Sequence, residues 1–268
     1  MAPPRPPLPE LRADPRWRGI DLLSDVHLQA GLPRTFEAWR QHLLHTTADA
    51  VLMLGDLFEV WVGDDQRHGG FEAQCLQVLK TAAEQRVLAF LPGNRDFLVG
   101  DAMLADAGLQ RLADPTLLLA FGQRWLLSHG DALCLSDQAY QQFRQQVRAP
   151  AWQQAFLAQP LALRQQQARL MREASTAHQA SQPAADRADL ADRPDWADID
   201  NAAALAWLDA AAAPALIHGH THRPASHALP GGRSRHVLGD WDLDATPPRA
   251  RALRLTASGL AVLDLAQP

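Results

Sequence analysis

The stretch Leu54-Gly55-Asp56-Leu57-Phe58-Glu59-Val60-Trp61 decides how this 268-residue chain is read. It follows the apolar run 50–54, turns at a glycine, and so delivers one carboxylate, Asp56, to the end of a strand. Three other apolar runs end the same way, in Asp25-Val26-His27, in Gly93-Asn94-Arg95-Asp96 and in Ser128-His129-Gly130-Asp131. A further run ends in His218-Gly219-His220-Thr221-His222. A single Asp-x-His or Gly-Asn is more often a turn than a ligand set, but five such elements, each closing an apolar run, point to one shared site. Side chains two apart on extended backbone point the same way, which pairs Asp25 with His27 and His218 with His220. Oxygen and imidazole ligands without thiolate suit Mn²⁺, Fe or Zn²⁺. Two such ions about 3.5–4 Å apart, sharing Asp56, can clamp a phosphoryl group for in-line displacement.

Outward from that stretch, residues 19–24 read as a strand and 35–48 as a helix with Phe36, Trp39, Leu43 and Leu44 at helical spacing. A second strand at 50–54, a helix at 71–85 with Leu76 and Leu79 on one face, and a third strand at 87–91 follow. The βαβαβ order predicts a parallel-cored sheet with helices on its faces. In such sheets ligands bind beyond the carboxyl ends of the strands, where every motif above lies. A short helix at 101–109, a hairpin joining 117–120 to 125–127, a helix at 202–212, a strand at 215–217 and two strands flanking Ala257-Ser258-Gly259 complete the core. Between them, 136–174 reads as two or three amphipathic helices broken at Pro150 and Pro160. Residues 175–200, biased to Ala, Asp, Arg and Gln, read as a mobile loop. The expected organisation is a disordered tail at 1–18, a core at 19–135 and 201–268, and a helical cap inserted at 136–200.

The composition, 47% hydrophobic with a net charge of −5, supports a full core and argues against a nucleic-acid-coating protein, which carries a basic stripe. The apolar runs are strand-sized, short of the roughly 18 residues of a membrane span. The proline- and arginine-rich start has no apolar stretch of signal-peptide character. Cys75 and Cys134 stand far apart, fitting a reducing cytoplasm and buried small-hydrophobe roles. Between Asp137 and Glu173 there is no acid, yet Arg144, Arg148, Arg164, Arg169 and Arg172 fall there, a local positive field that favours an anionic partner.

The order Asp25-x-His27, Gly55-Asp56, Gly93-Asn94, His129-Gly130-Asp131 and Gly219-His220-x-His222 resembles the calcineurin-type metallophosphoesterases, α/β proteins built as a two-sheet α/β/β/α sandwich. The finer spelling, above all Phe58-Glu59-Val60-Trp61-Val62-Gly63-Asp64-Asp65 with Gly93-Asn94-Arg95-Asp96-Phe97, resembles the pyrophosphatase family within them that acts on UDP-2,3-diacylglucosamine in lipid A synthesis. The likeness runs from about Gly19 to Trp241.

That resemblance implies a hydrolase that splits the pyrophosphate with a dimetal-activated hydroxide, releasing UMP and 2,3-diacylglucosamine 1-phosphate (lipid X). It implies two Mn²⁺ per chain, one on Asp25, His27, Asp56 and His220 and the other on Asp56, Asn94, His129 and His218. It makes Asp56, Asn94, Arg95 and His129 the catalytic set, and Asn94, Arg95, Asp137, Ser175 and His218 the substrate contacts. Arg95, which does not titrate, suits a bidentate phosphate clamp; the plainer alternative is a salt bridge to Asp96. The family places a lysine several residues after Ser175, whereas Gln182 stands near that place here and Arg187 or Arg193 can substitute. His222 is outside the implied ligand set and is read as support for it. His42, His45, His68, His178, His227 and His236 are read as structural or exposed, and Trp61 and Trp241 as core. The implied partners are a nucleotide-activated glycolipid and an anionic membrane surface at the cytoplasmic face of the bacterial inner membrane, bound peripherally by a monomer. The rival reading is a metallophosphoesterase for a soluble nucleotide or phosphoester.

Overall fold

A computed structural model describes residues 8–181 and 198–266, with the side chains of 172–181 outside the description. The strands are β1 Glu10–Arg12, β2 Ile20–Leu23, β3 Ala50–Leu54, β4 Val87–Leu91, β5 Leu109–Arg111, β6 Thr116–Ala120, β7 Gln123–Leu127, β8 Ala215–His218, β9 Ser226–Leu229, β10 Arg233–Val237, β11 Arg251–Thr256 and β12 Gly259–Asp264. The helices are α1 Pro33–His45, α2 Gly70–Ala83, α3 Asp101–Ala107, α4 Gln138–Val147, α5 Pro150–Leu157, α6 Leu161–Ser181 and α7 Asn201–Ala211. One sheet runs β12-β11-β2-β3-β4-β5 and the other β1-β6-β7-β8-β10-β9.

Strand β3 shows why the sequence builds layers. All five of its residues are buried, as in a strand covered on both faces. Because alternate side chains point to opposite faces, Val51 and Met53 pack with Trp39 and Leu43 of α1, Leu79 of α2 and Met103 of α3. Ala50, Leu52 and Leu54 point the other way, into a second core shared with Leu118, Leu127 and Ile217 of the facing sheet. The far face of that sheet, through Leu117, Leu126 and Leu216, packs on Leu208 and Ala211 of α7. The result is the expected α/β/β/α sandwich. Strands β2, β3 and β4 pair in parallel, as do β7 and β8. All five motifs therefore leave the sandwich at carboxyl strand ends on one rim.

The sequence reading is corrected at the start of the chain. Residues 10–12, expected in a disordered tail, form β1, which pairs in parallel with β6 and buries Leu11 in the inter-sheet core. A second correction concerns 175–181: helix α6 continues to Ser181, where a loop was expected from Ser175. Residues 182–197 of that expected loop, with Gln182, Arg187 and Arg193, lie outside the described residues. Pro150 opens α5 at its first turn and Pro160 precedes α6, so the prolines separate helices as predicted. The two ends of the 136–200 segment meet where the Asp200 amide donates to the Leu133 carbonyl at 2.8 Å.

Candidate metal centre

The rim loops are held in costly backbone. Asp25, His27, Asp56, His220 and His222 all have φ between 52° and 68°, the left-handed region that costs a non-glycine residue roughly 1–3 kcal/mol. Such strain persists only where surrounding contacts over-determine it. The contacts are visible: the Asp25 amide donates to the Gly55 carbonyl at 3.1 Å and the His27 amide to the Asp56 carbonyl at 3.0 Å. Gly93 and Gly219 let the loops close, since a Cβ on the first would overlap the Asp56 carboxylate and one on the second would overlap Ser24 and Asp25.

Among the described residues two donor groupings result. Asp25, His27 and His222 form one, and Asp25, Asp56 and His129 the other, each with its ligand atoms within 4.8 Å of one another. Asp25 belongs to both groupings, Asp56, expected as the shared ligand, to the second, and His222, outside the expected ligand set, to the first. Its Nε2 lies 3.2 Å from Asp25 Oδ1 and 3.2 Å from His27 Nε2. Asn94 joins through Oδ1, which lies 2.8 Å from His129 Nε2 and 2.9 Å from His220 Nδ1. His220 also donates its amide to Asp25 Oδ2 at 2.9 Å. His218 is placed differently: its ring meets the Gly219 carbonyl at 2.9 Å and Arg235 at 3.5 Å, and it belongs to neither grouping.

The donor set fits a metal ion. His129 Nδ1 lies 3.0 Å from the Leu54 carbonyl, so that nitrogen carries the proton. In the neutral ring Nε2 then carries the lone pair, 2.8 Å from Asn94 Oδ1, and the two are donor atoms of the kind a metal ion takes. The Nε2 atoms of His27 and His222 likewise lie 3.9 and 3.2 Å from Asp25 Oδ1. The electrostatics separate His129 from the other imidazoles. Burial opposes a charge on His129, yet Asp56, Asp25, Asp131 and the Leu54 carbonyl push it up to about 9. Burial pushes His27, His218 and His220 each down to about 4, leaving neutral imidazoles. Asp25 is held well below the usual carboxylate range despite burial, by His222, His129 and His27. Neutral imidazole and ionised carboxylate are the protonation states that bind metal, so His27, His218, His220 and Asp25 already stand in them, whereas His129 releases a proton when a metal binds.

Several residues act here that the sequence reading missed. Asp96, fully buried, accepts amides from Leu57 at 2.7 Å and Gly93 at 2.8 Å, and more loosely from Asp56 and Phe58 at 3.3 Å each. It is therefore no partner for Arg95, whose guanidinium meets Glu59 at 2.6 Å. Arg95 also donates its amide to Asp56 Oδ1 at 2.8 Å. Asp131 accepts Tyr140 Oη and Arg144 Nε, both at 2.7 Å. The signal for Asp96 was in its motif; the partners of Glu59 come from two other loops and those of Asp131 from α4, and neither left a signal.

Of the remaining expectations, Asp137 caps α4, accepting the Tyr140 amide, and Ser175 lies in α6 with its side chain outside the description. Trp61 and Trp241 are core residues as expected. The arginine run is corrected in part. Arg144 binds Asp131; Arg148 donates to the Gly93 carbonyl at 2.8 Å and lies over Phe97. Arg164, 3% exposed, binds the Val62 carbonyl and Asp65. These three clamp the helical segment to the rim loops. Arg169 is exposed.

Residues 19–224 match the calcineurin-like phosphoesterase family. The UDP-2,3-diacylglucosamine hydrolase of Xanthomonas campestris pv. campestris is 42% identical over 251 residues, covering 91% of this chain and 98% of that protein. The protein of the same name from Chromobacterium violaceum is 44% identical over 229 residues, covering 83% and 90%, and that from Ralstonia nicotianae 42% over 244 residues, covering 88% of each.

Proposed function

This chain belongs to the calcineurin-like phosphoesterase family, and from that premise we propose that it hydrolyses the pyrophosphate of UDP-2,3-diacylglucosamine to UMP and 2,3-diacylglucosamine 1-phosphate, with two Mn²⁺ ions as cofactors. The observation that carries the reading is the convergence on one rim of Asp25, His27, Asp56, Asn94 and His129, in a chain aligned nearly end to end with relatives bearing that name. Metal ions bound there supply Lewis acidity toward a phosphoryl oxygen and lower the pKa of water. Asp25, His27, Asp56, Asn94, His129 and His220 hold them, with His222 adding to Asp25 and His27 and His218 completing the set on the side of Arg235. Arg95, half-buried at the rim, faces the phosphates as a fixed, non-titrating cation.

The helical segment suits the acyl chains. A cavity of about 470 Å³ is lined by Trp152, Phe156, Leu170 and Met171 of α5 and α6. Phe97, two residues beyond Arg95, touches its wall through Trp152, with ring centroids 6.4 Å apart. An apolar groove beside a phosphate-facing arginine matches an amphiphilic substrate better than a soluble nucleotide. Leu163, Leu170 and Met171 are each more than 40% exposed on α6, and with Arg169 they support peripheral contact with the inner membrane. No helix among the described residues is long and apolar enough to cross a membrane.

Mass analysis of products from a defined UDP-2,3-diacylglucosamine with Mn²⁺ tests the reading. UMP and the diacylated sugar phosphate are expected. Turnover confined to soluble nucleotides would replace it with the rival phosphoesterase reading.

A further inference from the structure

Glu59 stands between the two halves of the site. Its backbone is tied down, its amide donating to the Leu28 carbonyl at 3.2 Å, one residue beyond His27. Its carboxylate is 8% exposed and its oxygens are divided: Oε1 lies 2.6 Å from the Arg95 guanidinium and Oε2 lies 3.0 Å from His27 Nδ1. His27 reaches Asp25 and His222 with its other nitrogen, and Arg95 extends toward Asp56 Oδ2 at 3.6 Å.

Resting on the metallohydrolase reading, we propose that Glu59 is a positioning residue that couples the metal-binding edge of His27 to the phosphate-facing arginine, Arg95. The Glu59 carboxylate, in ion-pair contact with Nδ1 at 3.0 Å, favours the proton on that nitrogen, which leaves the Nε2 lone pair for the metal. The same carboxylate holds the guanidinium fork in one place. Because a single group serves both, the orientation of Arg95 follows that of His27. Glutamine shows why the charge is needed: it offers one oxygen and one NH₂, so whichever partner loses the oxygen faces a donor with a donor.

The test has two arms on the full chain. In the first, protein stripped by chelation is titrated with Mn²⁺ by calorimetry; Glu59→Gln is expected to bind roughly tenfold to a hundredfold more weakly while the melting temperature of the stripped protein stays near wild type. In the second, kcat/KM is measured for Glu59→Gln, Arg95→Met and the double variant. The losses are expected to be non-additive, since the first change already misplaces the guanidinium. Wild-type Mn²⁺ affinity in Glu59→Gln, or strictly additive kinetic losses, overturns the proposal. If the glutamine variant does not fold, Glu59→Asp, too short to span both partners, is judged by the same two criteria. A wild type inactive on UDP-2,3-diacylglucosamine removes that substrate only; the metal arm then decides the role of Glu59, with a chromogenic phosphodiester in the kinetic arm.

Discussion

The carboxylate of Asp96 accepts the amide of Leu57 at 2.7 Å, so the loop that presents Asp56 hangs on a side chain from the loop after β4. The same carboxylate takes the Gly93 amide at 2.8 Å, which binds the Asn94 turn into the arrangement. Asp96→Asn replaces one acceptor by a donor aimed at backbone N–H groups. Leaving such buried groups unmatched costs about 1–3 kcal/mol each. We expect lower stability in urea together with a fall in Mn²⁺ occupancy; an asparagine variant with wild-type occupancy would show that the loop holds itself.

Asp25 and Asp56 are distinguishable by metal content. Asp25 belongs to both donor groupings, whereas Asp56 belongs to one. Asp25→Ala is expected to empty both positions. Asp56→Ala should abolish turnover and, if Asp25 is the carboxylate on which both ions depend, retain one tightly held ion. Elemental analysis of the two variants reads this directly: loss of both ions in Asp56→Ala alone restores Asp56 as the shared ligand.

What was legible in the sequence was whatever a strand end announces locally. A Gly-Asp after Ala50–Leu54, or a His-Gly-His after β8, marks its place without reference to the rest of the chain. Which face of β3 meets which layer was not legible, because all five residues are apolar and periodicity carries no sign in a strand buried on both sides. Strand β1 was invisible for the opposite reason: Glu-Leu-Arg has one apolar residue, and its pairing is supplied by β6, more than a hundred positions away. The arginines misled because counter-charges were sought nearby. Arg144 finds Asp131 across 13 positions and Arg164 finds Asp65 across 99.

Those arginines give separable outcomes. Arg144→Met removes the cation beside a buried carboxylate and should destabilise the chain by about 3 kcal/mol, seen as a lower urea midpoint. Arg169→Gln touches an exposed side chain, so stability should hold while affinity for anionic vesicles falls by about 1 kcal/mol, an effect lost at high salt. Equal vesicle binding by Arg169→Gln and wild type at low salt counts against that cation in the membrane contact.

Deleting residues 1–18 removes β1 and uncovers the edge of β6. Leu11 is 6% exposed, and burying a leucine contributes roughly 2 kcal/mol; the lost ladder and the packing of Ala13 and Trp17 add to it. For a chain of this size each kcal/mol lowers Tm by about 2–4 °C. A drop of at least several degrees is expected by calorimetry, and an unchanged Tm means that β1 contributes nothing.

The opposite end of the sandwich predicts a pH dependence unconnected to metal. Asp21 on β2 is fully buried. It accepts Arg254 Nε at 2.7 Å and Nη2 at 2.8 Å, as well as Thr46 Oγ1 at 2.5 Å, with His42 Nε2 at 3.3 Å. Burial alone would raise its pKa, but hydrogen bonds from Arg254 and Thr46 and the adjacent His42 ring outweigh it and hold the carboxyl well below its ordinary range. A depressed folded-state value means that the unfolded chain takes up the proton first as the pH falls. The contribution is therefore complete above the unfolded value of about 3.9 and is lost as the pH drops below it toward the folded value. Arg254→Met should cost about 3 kcal/mol at pH 7, and the gap to wild type should shrink steadily below about pH 4 as the unfolded chain takes up the Asp21 proton and the wild type loses the contribution of the ion pair. Urea midpoints of the pair at pH 7 and pH 3 decide it. A gap of the same size at both values would mean that Arg254 stabilises by packing its methylenes rather than by its charge.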